Sequence, residues 1–288
     1  MPGAIPLIDT PAAMRQEVVA ARAAGRRIGF VPTMGALHAG HVSLVERAAR
    51  ECDAVAVSIF VNPTQFGPGE DFTRYPRTLA ADLALLEPHG VRWVYAPEAA
   101  AVYPPDDATR IVVEGPACGF EGAIRPGHFS GVATVVCRLL LAVPADVAYF
   151  GAKDWQQTLV VRRMVRDLGL PVGIVVCPTV READGLAMSS RNAYLSAAER
   201  ARATALNAAL EQAAAAWGAG ADVPAIEAAM REPLVAAGVA IDYATVVDAE
   251  SLASPTAGRP AVALVAGRLG TTRLIDNREL APRSDGAG

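Results

Sequence analysis

The chain has 288 residues, of which 52% are hydrophobic and 19% are charged, and its formal net charge at pH 7 is −4. This length and apolar content suffice for a buried core in one large domain and a smaller second one. Because the sequence holds no block of Lys and Arg, it argues against a surface for nucleic acid or for an anionic membrane.

No apolar run approaches the roughly 20 residues that a transmembrane helix needs. The N-terminus lacks the basic and then apolar pattern of a signal peptide, so we do not expect export. The four cysteines are scattered and form no C-x-x-C motif. They indicate free thiols in a reducing compartment, and we therefore expect a cytoplasmic protein.

Strand-like and helix-like segments alternate through the first 180 residues. The predicted strands are short and apolar: Ile28–Val31, Ala54–Val61, Arg92–Tyr95, Val147–Phe150 and Gly173–Cys177. The predicted helices lie between them: His41–Arg50, Leu79–Leu86, Gly131–Leu141 and Trp155–Leu168. This alternation predicts an α/β fold with a Rossmann-like, doubly wound parallel sheet, in which ligands bind at the carboxyl ends of the strands.

The pattern changes after about Thr179. Ser196 is a good N-cap for an alanine-rich helix running to about Trp217, and a second helix spans about 223–236. Strand-like segments follow at 241–247, 261–265 and 273–275. Helices followed by strands predict a small α+β domain. We therefore predict a nucleotide-binding catalytic domain of residues 1–178 and a C-terminal lid domain of residues 179–288.

The segment Val31–His41 joins a strand, a Pro/Gly turn and a helix start. Backbone N–H groups and the positive end of the helix dipole make such a junction a site for phosphate. His38 and His41 are three residues apart, so on a helix they share a face, and Gly40 has no Cβ to obstruct a nucleotide. Two alternatives are a pair of surface histidines and a metal site, which lacks a third His or Cys ligand nearby.

Polar residues in two further segments are suited to a small substrate. Asn62 and Gln65 follow the second predicted strand, and their amides bind polar groups without adding charge; the alternative is an ordinary Asn-Pro turn. Arg125 lies in a predicted flexible loop and is suited to pair with a carboxylate or a phosphate. The alternative for Arg125 is a solvated side chain.

Two later segments are suited to bind phosphates. Lys153 is the single lysine of the chain and follows a strand and a glycine; Asp154 suits the N-cap of the next helix, and Gln157 lies in its first turn. Hydroxyl and guanidinium groups cluster at residues 189–191, where the domains join, as in a closing lid. The alternatives are a solvated lysine and a linker with its own helix cap.

Five motifs occur in order: PTMGALHAGH, FVNPTQF, RPGHFSGV, FGAKDWQQ and READGLAMSSRN. With them, the chain from about Arg27 to about Asn277 resembles the pantothenate synthetase (pantoate–β-alanine ligase) family of the H-x-G-H nucleotidyltransferase superfamily. The resemblance implies ATP-dependent condensation of (R)-pantoate with β-alanine through pantoyl adenylate, with release of pyrophosphate and AMP. It also implies Mg²⁺ with the ATP, and a homodimer.

The resemblance also implies roles for individual residues. His41 is the implied proton donor, Gln65 and Gln157 the implied pantoate ligands, and Asn62 and Arg125 join them as candidate substrate residues. The candidate catalytic residues are His38, His41, Lys153, Ser189, Ser190 and Arg191. The candidate ATP-binding residues are Met34, Gly35, Ala36, Leu37, His38, Ala39, Gly40, His41, Gly151, Ala152, Lys153, Asp154, Val180, Met188, Ser189, Ser190 and Arg191.

The chain departs from the family pattern at two acidic positions. Ala152 stands where relatives often carry Glu, and Ala81 precedes Asp82 in a stretch that is usually more acidic. The sequence therefore leaves the protein ligands of Mg²⁺ open, and we assign none. Three other interpretations remain at this point: a different nucleotidyltransferase of the superfamily, a nucleotide-binding regulator without catalysis, and a zinc hydrolase.

Overall fold

The computed structural model describes residues 5–283, which form two compact units. Among the described residues, the first unit runs through Ala152 and resumes at Gln156–Pro178. The second unit comprises Lys153–Trp155 together with the chain from Thr179 onward. Lys153–Trp155 thus belong to the second unit, although the chain on both sides of them belongs to the first.

A six-stranded sheet forms the centre of the first unit, and all its strand pairs are parallel. Its strands are β1 (Leu7–Ile8), β2 (Ile28–Thr33), β3 (Ala54–Ile59), β4 (Val91–Tyr95), β5 (Val147–Gly151) and β6 (Gly173–Cys177). The strand order is β1-β4-β3-β2-β5-β6. The chain winds outward from β2 in one direction and then from β5 in the other, so the switch point lies between these two strands. The predicted fold class is confirmed.

Seven helices belong wholly or mainly to this unit. They are α1 (Pro11–Ala23), α2 (Ala39–Glu51), α3 (Leu79–Leu86), α4 (Ala99–Val102), α5 (Phe120–Ile124), α6 (His128–Ala142) and α7 (Trp155–Asp167). Apolar side chains of α6 and of the sheet are buried together in one cluster. The prediction missed α1, although Thr10 caps it and Pro11 occupies its first turn. It also missed β1, an edge strand of two residues whose Leu7 is half exposed.

The second unit is an antiparallel sheet with three helices. Its elements are α8 (Ala197–Ala203), α9 (Ala205–Gly218), α10 (Val223–Ala236), β7 (Ala240–Asp248), β8 (Ala261–Leu269) and β9 (Thr272–Leu280), with strand order β7-β8-β9. The prediction of one helix from Ser196 to Trp217 is wrong. That helix is interrupted at Thr204, whose hydroxyl donates to the Ala201 carbonyl at 2.9 Å.

Strands β8 and β9 are both longer than predicted. The prediction ended β8 too early because the apolar pattern weakens at Gly267. That glycine fits a crowded position in the strand, where a Cβ would lie 2.5 Å from a Val239 methyl carbon. The longest helix of the described residues has 15 residues. Within residues 5–283, no helix combines the length and hydropathy required to cross a bilayer.

Candidate active site

The loop after β2 adopts a backbone conformation that ordinary residues avoid. Gly35 has φ +81° and Ala36 has φ +49°, so two consecutive residues lie in the left-handed region. The Thr33 hydroxyl braces the start of the loop by accepting from the Gly35 N–H at 3.1 Å and donating to the Ser58 carbonyl at 2.7 Å. The loop therefore turns sharply from strand to helix, with its amides held by side chains.

Asp82 on α3 holds the other side of this loop, a role that was not predicted from the sequence. Its carboxylate accepts from the N–H of Ala36 at 3.1 Å and of Leu37 at 2.8 Å, and from the Thr78 hydroxyl at 3.2 Å. Asp82 is 2% exposed. A side chain at Gly35 would approach its carboxylate oxygen at 3.0 Å, so the glycine also makes room for this brace. The sequence signal was a lone acid in the otherwise apolar LAADLALL.

His38 and His41 come together, but not by sharing a helix face as predicted. His38 has extended backbone angles and is the N-cap of α2, so only His41 is helical. The His38 Nδ1 accepts from the Gly40 N–H at 3.1 Å, and the His41 Nδ1 accepts from the His38 N–H at 3.3 Å. The ring centroids are 4.2 Å apart. Since each Nδ1 accepts a hydrogen bond, we assign the proton of each neutral ring to Nε2.

Asn62 organises the turn after β3. Its amide donates to the Gln65 Oε1 at 3.0 Å and to the Gly131 carbonyl at 3.2 Å. Its oxygen accepts from the Tyr103 hydroxyl at 2.8 Å, the Thr64 hydroxyl at 3.0 Å and the Thr64 N–H at 3.3 Å. Both amide hydrogens and the oxygen are thus engaged, and Asn62 is 1% exposed. This geometry favours a role in shaping the turn over the predicted substrate contact.

Gln65 presents a different pattern. Its Oε1 is occupied by Asn62, but its Nε2 donates to the Met34 Sδ at 3.2 Å. A thioether is a weak acceptor, so a substrate oxygen would replace this partner at little cost. Gln65 is 9% exposed. Gln65 therefore remains a candidate substrate ligand, and its amide contacts Met34, the first candidate residue of the phosphate loop.

The segment predicted as a loop around Arg125 is largely helical, and Arg125 itself lies in the short turn between α5 and α6. The residue immediately follows α5, and its guanidinium forms a two-point ion pair with Glu70, with N–O distances of 2.8 and 2.7 Å. Arg125 also contacts the His128 Nε2 at 3.1 Å and the Gln65 carbonyl at 3.4 Å. The carboxylate that it was predicted to pair with is thus the protein's own.

Two pKa shifts follow from this arrangement. Burial, and then the Arg125 charge, lower the pKa of His128 to about 4. Burial raises the pKa of Glu70, but the hydrogen bond and charge of Arg125 outweigh it, so the net pKa is below the usual value. At neutral pH His128 is therefore uncharged, and its Nδ1 donates to the Gln65 carbonyl at 2.9 Å.

Gln156 and Gln157 begin the part of α7 that belongs to the first unit. Gln156 is buried, and its amide clamps the chain before α5 by accepting from the Glu121 N–H and donating to the Pro116 and Cys118 carbonyls at 2.9–3.1 Å. The Gln157 side chain makes no hydrogen bond to any residue in the described range and is half-buried. Gln157 thus retains its predicted availability to a substrate, whereas its neighbour is structural.

In the second unit, Lys153 and Trp155 are held through contacts to the C-terminal sheet and the turn after β7. Asn277 donates to the Lys153 carbonyl at 2.7 Å, and the Trp155 indole donates to the Ala249 carbonyl at 2.9 Å. The Lys153 ammonium is mostly buried and lies 3.7 Å from the Asp154 carboxylate. Lys153 is thus carried on an anchored turn rather than as a solvated lysine.

The segment after Thr179 forms a tight hairpin. Arg181 and Ala187 form a β-bridge, and the Met188 N–H donates to the Val180 carbonyl at 3.0 Å. Its cluster of polar residues begins at Ser189, which caps the turn Ser190–Tyr194 by accepting from the Arg191 N–H at 3.3 Å.

The base of this hairpin is fixed by a buried ion pair. Arg181 meets Asp276 at 2.6 and 3.0 Å, and Asp276 is 2% exposed. Asn192 closes the hairpin by donating to Glu182 and to the Ala187 carbonyl, both at 3.1 Å. Neither Arg181 nor Asp276 had been assigned a role from sequence, because their pairing spans 95 positions.

Neither of the two acidic positions presents a carboxylate free of protein partners. Ala152 provides no carboxylate, and both oxygens of Asp82 accept from N–H or O–H donors. In the range 5–283, no group of three or more His, Cys, Asp or Glu is arranged to hold a metal ion.

Comparison with known proteins identifies the family. Residues 6–279 match the family model of pantoate-beta-alanine ligase. The chain is 56% identical to pantothenate synthetase of Acidiphilium cryptum over 89% of this chain and 95% of that protein. It is 52% identical to pantothenate synthetase of Novosphingobium aromaticivorans over 94% and 97% of the two chains.

Solved structures agree with these relatives. The crystal structure of pantothenate synthetase from Thermus thermophilus superposes with a TM-score of 0.90 at 51% identity, covering 96% of this chain and all of that one. The pantoate-beta-alanine ligase of Francisella tularensis, complexed with β-γ ATP and β-alanine, superposes with a TM-score of 0.79 at 33% identity, covering 96% and 97%. Since the match extends over nearly the whole chain, this protein belongs to the pantoate–β-alanine ligase family.

Proposed function

We propose that the chain condenses (R)-pantoate with β-alanine in two steps, through a pantoyl adenylate that is formed with ATP. In the first step, a pantoate carboxylate oxygen attacks the α-phosphorus of ATP, the bond to the bridging oxygen breaks and pyrophosphate leaves. In the second step, the β-alanine amine attacks the acyl carbon of pantoyl adenylate, and AMP leaves with the bonding electrons. The substrate supplies the nucleophile in each step, so the enzyme has to provide position and positive charge.

The observation that carries this proposal is the pair of mutually oriented imidazoles at the switch point. With Nδ1 of both rings accepting backbone N–H bonds, each Nε2–H is set as a donor for phosphate oxygens. We propose that His38 and His41 bind the phosphates where charge develops, with His41 as the proton donor. The braced loop Met34–Leu37 and the residues Ala39 and Gly40 at the start of α2 would contact the nucleotide through their backbone.

The remaining roles are assigned from the local geometry and the family motifs. We propose that Gln65 and Gln157 bind pantoate through their amides, while Asn62 and Arg125 shape the turn that carries Gln65. The proposed ATP ligands elsewhere are Gly151, Ala152, Lys153, Asp154, Val180, Met188, Ser189, Ser190 and Arg191. Lys153, Ser189, Ser190 and Arg191 would oppose the charge of the phosphates.

Three further properties belong to this proposal. Mg²⁺ would enter with ATP as part of the substrate, because its phosphates supply the oxygen ligands that this cation prefers. The protein would act in the cytoplasm, and it would form a homodimer. Two apolar side chains on the first unit are exposed, Val112 at 73% and Leu141 at 50%, which is consistent with a surface that a second copy of the chain covers. Sedimentation equilibrium tests the dimer.

Pantoate-dependent exchange of label between pyrophosphate and ATP, without β-alanine, tests the first step. We expect exchange only when pantoate, ATP and Mg²⁺ are all present, and AMP formation only after β-alanine is added. Exchange without pantoate would contradict the proposal. No exchange but AMP formation with β-alanine would show that pyrophosphate stays bound until the amine arrives. Absence of both reactions in a folded sample would refute the proposed chemistry.

A further inference from the structure

Gln65 is held through its backbone carbonyl as well as its side chain. The carbonyl accepts from the His128 Nδ1 at 2.9 Å and more weakly from Arg125 at 3.4 Å. His128 is buried and begins α6, so its ring has a fixed environment. This contact fixes the backbone of the residue proposed to bind pantoate.

The ring of His128 is itself oriented by a charged chain. Its Nε2 accepts from Arg125 at 3.1 Å, which leaves the hydrogen on Nδ1 for the Gln65 carbonyl. Arg125 is fixed in turn by its two-point ion pair with Glu70. The chain Glu70–Arg125–His128 therefore determines both the tautomer and the rotation of the ring.

The helix that carries His128 also approaches the turn with its backbone. A Cβ at Gly131 would lie 2.3 Å from the Thr64 carbonyl oxygen, so no other residue fits there without displacement. The Gly131 carbonyl accepts from Asn62, which in turn holds the Gln65 amide oxygen. The first turn of α6 thus holds Gln65 at its backbone carbonyl and, through Asn62, at its side-chain amide.

We propose that His128, oriented by Arg125 and Glu70, is a positioning residue for pantoate, acting through the Gln65 carbonyl. The inference rests on the proposed binding of pantoate by Gln65 and adds a residue that itself touches no substrate. It predicts a selective effect: loss of the His128–Gln65 bond should weaken pantoate binding and leave ATP binding nearly unchanged.

Two isosteric variants distinguish the roles of the two ring nitrogens of His128. In His128→Asn, the amide nitrogen occupies the place of Nδ1, so the bond to Gln65 is kept and the contact with Arg125 is lost. In His128→Gln, the amide reaches the place of Nε2, so the acceptor for Arg125 is kept and the bond to Gln65 is lost. Both variants are uncharged and polar, so each is the control for the other.

Steady-state pantoate-dependent exchange is measured for both variants, with pantoate and ATP varied in turn. For His128→Gln we expect the KM for pantoate to rise about tenfold, as for loss of one buried hydrogen bond, while kcat and the KM for ATP change less than about threefold. His128→Asn should rescue the KM for pantoate to within about threefold of the unsubstituted protein. Equal rises in both variants, or a parallel rise in the KM for ATP, would overturn the proposal.

A second background tests whether His128 acts through Gln65. In Gln65→Ala, adding His128→Gln should lower kcat/KM for pantoate by less than about twofold, since the positioned amide is already absent. An undiminished tenfold loss in that background would overturn the proposal. So would Gln65→Ala with an unchanged kcat/KM for pantoate.

Failure of the adenylate chemistry is distinguishable from failure of this inference. If the unsubstituted protein shows no exchange, the same KM values are taken from AMP formation with β-alanine present. If His128→Gln does not fold, Glu70→Gln replaces it, because it releases the guanidinium and leaves His128 and Gln65 intact. We expect at least a threefold rise in the KM for pantoate in Glu70→Gln, and an unchanged value would overturn the proposal.

Discussion

Replacement of Asp82 by Asn should loosen the proposed phosphate loop with little change in side-chain volume. Asn offers one acceptor oxygen where the carboxylate offers two, so either the Ala36 or the Leu37 N–H faces an NH₂ group and loses its partner. The other N–H keeps a neutral acceptor in place of a charged one. A hydrogen bond to a charged group contributes about 1.5–3 kcal/mol, and a neutral one about 1 kcal/mol.

The two changes together predict a loss of about 2–5 kcal/mol, distributed between the loop and the first unit. For a unit of this size, that corresponds to a fall in Tm of roughly 4–20 °C. If part of the loss frees the loop to leave its left-handed turn, its N–H groups no longer point at the phosphates. We therefore expect kcat/KM for ATP to fall by about 10²-fold, as when one preorganised donor is lost.

Thermal unfolding and pantoate-dependent exchange at varied ATP measure these two effects. The matched control is Thr78→Val, which removes only the hydroxyl bond to the same carboxylate and leaves both backbone bonds in place. Because Thr78 is exposed, its bond to the carboxylate falls at the low end of the range for charged groups, so we expect the control to lose about 1.5 kcal/mol and to keep its KM for ATP. A Tm for Asp82→Asn within about 2 °C of the unsubstituted protein (about 1 kcal/mol or less), with unchanged kcat/KM for ATP, would refute the bracing role.

The other predictions concern catalysis, pH and the second unit. His41→Ala or Lys153→Ala should lower turnover by at least about 10²-fold in a protein that still folds, because each removes a contact to developing charge; near-normal turnover would count against both assignments. Because the pKa of His128 is about 4 in the fold and 6.5 in an unperturbed histidine, its neutral form favours folding above pH 6.5, and this contribution is lost as pH falls toward 4. The free energy of unfolding in urea of the unsubstituted protein, taken relative to that of His128→Asn, should therefore fall by about 2 kcal/mol from pH 7 to pH 5. A relative value that stays constant over this range would contradict the assignment of a neutral His128. Arg181→Met should destabilise the second unit by about 3–5 kcal/mol, because it leaves the charge of the buried Asp276 carboxylate unpaired. Chemical denaturation of the double variant Arg181→Met with Asp276→Leu should show recovery of part of that loss. A double variant whose loss is the sum of the two single losses would contradict the pairing.

Local pattern was enough to predict the class of the fold. The predicted strands Ile28–Val31 and Ala54–Val61 are recognisable because a parallel strand buried on both faces is a short continuous apolar run. The helix at 79–86 was predicted with its observed bounds. Edge strand β1 was missed because two residues, neither of them fully buried, leave no such run.

The motifs also identified where the chemistry is proposed to lie, since phosphate-binding turns depend on residues close together in sequence. His38 and His41 are brought together by a capping geometry of four consecutive residues. The sequence predicted their association correctly but took it for a shared helix face, because a periodic pattern does not show that His38 is the N-cap of α2 and lies outside the helix.

Only the tertiary structure decided which polar residues serve the fold and which remain for a substrate. Asp82 meets the loop across 46 positions, and Arg125 meets Glu70 across 55. Neither pairing leaves a trace in local spacing, because a hydrogen bond or an ion pair needs only that two groups be close in space. From the sequence alone, Arg125 and Asn62 therefore qualified as candidate substrate ligands as well as Gln65 and Gln157 did. The folded chain separates them. Asn62 and Arg125 are engaged by protein groups, whereas the Gln65 Nε2 has a weak thioether acceptor and the Gln157 side chain has no hydrogen bond among the described residues.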